Sequence, residues 1–181
     1  MIASGVAWTV HIATAGSTTV SFACFRREDR DPWMLGDAVA ALLAAGAERT
    51  DRPHAAGSGR GIPILHTQRL RLQRCDIELH AVHCASGDDE LTLTLPPWDE
   101  LCNDLDTEDA LWEACDLVAE QCSVRAGCIG DGEAFSLGDV RSMLRRHAGL
   151  LLQEAEAREV PATVAALHRV LPRSGLRLIL R

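Results

Sequence analysis

The stretch Gly127-Cys128-Ile129-Gly130-Asp131-Gly132-Glu133 sets a thiol and two carboxylates among three glycines. A thiol becomes a nucleophile when an adjacent imidazole takes its proton, and His147 follows in the sequence as a base for Cys128. Asp131 and Glu133 have the chemistry to hold a cation at a strand end. No Cys–His or hydrolase signature surrounds them. The stretch also lacks the Lys and Ser/Thr of a phosphate loop and the spacing of a calcium loop. A tight turn after a buried strand accounts for the same glycines. Cys128, Asp131, Glu133 and His147 therefore define a site for a small enzyme only as an alternative reading.

Cys75, His80, His83 and Cys84 are the second group with ligand chemistry. On a strand, residues two apart lie about 6.6 Å from each other, and His83 and Cys84 point to opposite faces. Four ligands meeting one zinc at about 2.0–2.3 Å would need a sharp bend. The expected roles are thiols packed as small hydrophobes and histidines on a sheet face. Cys115 and Cys122 are seven helical residues apart, about 10.5 Å along an axis, which is too far for a disulfide. No metal and no cofactor is expected.

The most pronounced pattern is electrostatic. Between Arg74 and Arg125 there are fourteen acids and no basic residue, while each flanking third holds nine Arg and six acids. The formal net charge is −8. A one-sided field of this kind attracts cationic partners and speeds their encounter. The residues expected to bind such a partner are Asp88, Asp89, Glu90, Trp98, Asp99, Glu100, Asp104, Asp106, Glu108, Asp109 and Glu113. Charge and size together suggest a non-enzymatic binding protein that neutralises a basic protein, by analogy with immunity proteins that hold cationic nuclease toxins. A regulatory or accessory subunit of a larger complex is the other alternative, and a homodimer is compatible with either.

Composition removes several chemistries. All eighteen basic residues are Arg, and there is no Lys and no Tyr. This is the usage of a GC-rich, bacterial genome. It rules out a Schiff-base lysine, a P-loop lysine and a tyrosine general acid from this chain. Arg69 and Arg71 share a strand face, and Arg141, Arg145, Arg146 and His147 cluster further on. With a pI near 5.3 they argue against nucleic-acid binding and for pairing with the central acids. The longest apolar run, Ala38 to Ala47, has ten residues, about half of a membrane span. The first residues lack a basic n-region, and seven Cys without scaffold spacing favour free thiols in a cytoplasm.

These residues need elements to position them. Val6–Ala13 and Thr18–Arg27 read as an opening hairpin around Ala15-Gly16-Ser17. Asp31 and Pro32 start a helix through Leu35, Val39, Leu42 and Leu43, ended by Gly46. Arg49–Gly61 reads as a mobile loop. Ile62–Cys84 is extended with a break near Arg74–Asp76, and Leu91, Leu93 and Leu95 form a half-buried strand stopped by Pro96-Pro97.

A helix over Thr107–Cys122, capped by Asp106, carries Leu111, Cys115, Val118, Ala119 and Cys122 on one stripe. A short strand over Ala126–Gly130 precedes a long helix from Ser136 through Val140, Met143, Leu144, Leu151 and Ala155. A shorter helix after Pro161 runs through Leu167 and Leu171, and Leu176–Leu180 returns as a strand. The expected fold is a single α+β domain over residues 1–181. Its sheet is mostly antiparallel, with three to four helices covering one face.

Overall fold

The computed structural model describes residues 18–25, 34–51, 54–56, 64–83, 88–97, 100, 104–130, 145, 147–160 and 167–180. In chain order the elements begin with β1 (Thr18–Phe25), α1 (Met34–Ala44), β2 (Glu48–Arg49), β3 (His54–Ala56), β4 (Ile64–Leu72), β5 (Cys75–His83) and β6 (Asp88–Leu95). They continue with α2 (Leu105–Gln121), β7 (Val124–Gly130), β8 (Gly149–Leu152), α3 (Glu154–Ala157), β9 (Leu167–Val170) and β10 (Arg177–Leu180). The fold is α+β, built on one large antiparallel sheet.

Ten strands fill nine positions in the order β2-β4-β5-β6-β1-β7-β8-β10-β9, because β2 and β3 share one edge of β4. Residues 48–49 and 54–56 are thus edge strands, which corrects the loop expected over Arg49–Gly61. Backbone pairing with β4, not local composition, makes them extended. Val6–Ala13 lies outside the described residues. β1 pairs with β6 on one edge and β7 on the other.

The anticipated break near Arg74 is a two-residue hairpin turn, Gln73-Arg74, between Leu72 and its cross-strand partner Cys75. Cross-strand pairs Arg69–Glu78 and Arg71–Asp76 dress its exposed face at 3.0 and 2.8 Å. Pairs this exposed contribute little to stability but match the register.

Leu70, Leu72, Cys75, Ile77, Leu79, Leu91, Leu93, Leu95, Val20 and Phe22 point to one side of the sheet and form the main core with α1 and α2. Alternation along each strand requires this once one face is buried. On α1, Leu35, Val39 and Leu42 are buried and Leu43 is exposed. The helix ends as expected at Gly46, which has φ +93°. Gly46 N donates to Leu43 O and Ala47 N to Leu42 O, the paired bonds of a Schellman cap.

The long helix expected to run through Leu151 and Ala155 is not formed there. Leu151 lies in β8, hydrogen-bonded between β7 and β10, and α3 is a single turn. Residues 136–144 lie outside the described ones. The run Leu150-Leu151-Leu152 is apolar on both sides, and only the two-sided burial available in mid-sheet satisfies it. Gly149 begins the strand where a Cβ would lie 2.7 Å from Leu180 Cδ2 and 3.0 Å from Ile179 O, so a side chain there would have to displace both. The helix expected through Leu167 is likewise replaced by strand β9, which pairs with β10.

A second, smaller cluster lies on the opposite face, where Cys128, Leu150, Leu152 and Ile179 meet Ala157 and Val160 around α3. Glu154 of α3 is anchored there by Arg177 and Arg158. Among the described residues, then, the two long helices cover one face and α3 packs on the other. Three to four helices on a single face are not shown among the described residues.

α2 starts two residues earlier than its pattern implied, and Asp104, not Asp106, caps it. At its end Ser123 holds a left-handed φ of +53°. A side chain in that region is strained, and glycine is not. Ser123→Gly is expected to stabilise the protein by about 0.5–1 kcal/mol, read as a higher denaturant midpoint at unchanged slope.

Candidate partner-binding groove

The acidic helix α2 is built to present two sides. Leu111, Cys115, Val118, Ala119 and Cys122 are all buried, and the helix packs against α1 and β7. On the opposite side, Asp109, Glu113 and Asp116 recur at i, i+4 and i+7. Asp109 reaches the end of β9, and Glu113 and Asp116 reach the segment that joins β9 to β10. Asp109 Oδ1 lies 2.9 Å from Arg169 Nη1, and Glu113 Oε1 lies 3.9 Å from Arg173 Nη2. Asp116 is buried and accepts from Arg173 N at 3.0 Å, Ser174 N at 2.9 Å and Ser174 Oγ at 2.7 Å.

The helix start is tied down separately. Asp104 accepts from the Thr107 amide at 3.4 Å and the Thr107 hydroxyl at 2.8 Å. The hydroxyl bond first, then the amide bond, holds the Asp104 carboxyl below its ordinary range. The Thr107 hydroxyl also lies 3.2 Å from Gln73 Oε1 in the β4–β5 turn. Glu108 Oε1 accepts from the buried Trp112 indole at 3.2 Å.

Between α2 and the β9–β10 connection lies a groove of about 760 Å³. Its charged lining is Asp106, Asp109, Glu113 and Asp116 against Arg169 and Arg173, an excess of two carboxylates. Ala110 and Pro172 add apolar surface, over the buried Trp112 and Leu171. Such a lining suits an extended cationic side chain, whose stem meets the apolar atoms while its head meets the acids.

The structure brings together only some of the residues expected from sequence. Asp106, Asp109 and Glu113 line the groove. Asp104 and Glu108 serve the helix itself, and Glu100 is exposed outside the lining. Glu90 lies on β6 opposite Ala23 and Val82, away from the lining. Asp88 and Asp89 open the same strand, and their side chains, with all of Trp98 and Asp99, lie outside the described residues. Sequence reasoning missed Asp116, Arg169 and Arg173 as groove residues. The spacing of Asp109, Glu113 and Asp116 on one helix carried a signal for the first of these; nothing local carried one for the arginines.

The alternative site is partly visible. Cys128 and His147 are both buried, while Asp131 and Glu133 lie outside the described residues. A Cβ on Gly130 would meet His147 Nδ1 at 3.4 Å, and Thr19 Oγ1 donates to Gly130 O at 2.9 Å. His147 therefore covers the strand position two residues from Cys128, on the side to which Cys128 points. The same sheet face carries Thr67, His80 and Thr92 in one register row, which continues across β1 to Cys128. His80 Nδ1 lies 3.2 Å from Thr67 Oγ1, and its Nε2 lies 3.4 Å from Glu78 Oε2.

Cys75 belongs to the main core and His80 to the opposite face, so the two do not converge as ligands. Among the described residues no group of three or more His, Cys, Asp or Glu is arranged to hold a metal ion. Burial pushes the Cys75 thiol up to about 11 and the Cys122 thiol to about 12, and raises Cys115 as well. These thiols stay protonated at neutral pH and act as packing groups. No helix among the described residues is long and apolar enough to cross a membrane.

The chain matches no protein-family model, no curated protein and no solved structure.

Proposed function

We propose that the protein is a non-enzymatic cytoplasmic binding protein that holds a basic protein partner through the acidic side of α2. The observation that carries this reading is the groove beside α2, where four carboxylates outnumber two guanidiniums. Three of the four belong to the set expected from the charge pattern alone. The exposed acids Glu100 and Glu120 extend the negative surface beyond it. Steering by this field supplies fast association, and desolvated contacts in the groove supply the binding energy. The cytoplasmic placement rests on Cys75, Cys115, Cys122 and Cys128 being free thiols, with no disulfide among the described cysteines.

The test is co-purification from the native host, followed by association kinetics at two salt concentrations. The variant Asp106→Asn, Asp109→Asn, Glu113→Gln takes the net charge from −8 to −5 by removing three negative charges. It leaves the cap Asp104 and the buried Asp116 intact. Its association rate is expected to fall about tenfold or more at low salt, with a flatter salt dependence. Arg173→Gln, which removes a competing cation from the groove, is expected to move the rate the other way. Equal rates for wild type and the triple variant at both salts would refute the electrostatic reading. A regulatory or accessory subunit would use the same groove, and the identity of the co-purified partner separates that case from toxin neutralisation.

A second reading, a small enzyme around Cys128, Asp131, Glu133 and His147, is favoured by one observation. His147 lies over Gly130 on the Cys128 side of β7. An enzyme of this kind needs an accessible thiolate. Labelling of Cys128 by iodoacetamide at neutral pH in the folded protein, lost in His147→Gln, would support it.

A further inference from the structure

We draw no further inference here: the strongest candidate, the Glu78–His80–Thr67 relay on the polar face of β4 and β5, has a carboxylate, an imidazole and a hydroxyl in sequence, but Thr67 is buried and nothing among the described residues shows a cavity or oxyanion donors beside it.

Discussion

Leu111→Ala is expected to cost about 2–5 kcal/mol of unfolding free energy, the largest loss from any single substitution considered for this protein. Leu111 is fully buried at the start of the α2 stripe, packed into the core that α1, α2 and the sheet share. Truncation there removes transfer energy and leaves a cavity that close-packed neighbours cannot fill. A domain of this size has about 5–15 kcal/mol to lose, so the variant should stay folded but melt about 5–15 °C lower. The matched control is Leu105→Ala on the same helix, a residue that is 72% exposed. That change should stay within about 0.5 kcal/mol. Chemical denaturation of the two variants side by side measures the contrast. Equal losses at the two positions would mean that α2 does not bury the face assigned to it.

Asp116→Ala is expected to cost about 1.5–3 kcal/mol, because one carboxylate serves three donors at once. It accepts from two successive backbone amides and the Ser174 hydroxyl, and so fixes the turn from Leu171 to Leu176 against α2. Removing it leaves the amides of Arg173 and Ser174 without this acceptor in a partly buried site. Asp116→Asn keeps one acceptor oxygen and should lose less than half as much. The effect should be local first. Amide exchange at Leu171 and Gly175, whose N–H groups close the turn, should quicken more than exchange in β4 or β5. The variant also separates structure from the proposed recognition, since Asp116 holds the groove wall and Asp106, Asp109 and Glu113 set its charge. Unchanged exchange in the 171–176 turn would show that the carboxylate does not hold it.

Where one element's own pattern sufficed, the sequence was legible. Leu70 and Leu72 alternate with Arg69 and Arg71, and the strand is there with its arginines outward. The stripe from Leu111 to Cys122 is buried as its period requires. Gly46 ends α1 because a left-handed position favours glycine whatever surrounds it. Leu150–Leu152 marks where this stopped. A short apolar run has no period, so helix and strand are equally open until neighbours are known. The neighbours are β7 and β10, and β10 arrives from more than twenty residues further along the chain.

The groove divides in the same way. Composition and spacing alone determined that the middle of the chain is acidic, that it contains an amphipathic helix, and that lysine and tyrosine chemistry is absent. Only the tertiary structure decided which acids converge. It assigned Asp104 and Glu108 to the helix, left Glu90 on a strand away from the groove, and set Asp106, Asp109, Glu113 and Asp116 facing Arg169 and Arg173. The reason is one of range. Helical period and turn chemistry act over a few residues and are written locally. Arg169 and Asp109 are sixty residues apart in sequence, and their 2.9 Å contact exists only because the sheet carries β9 and β10 back to α2.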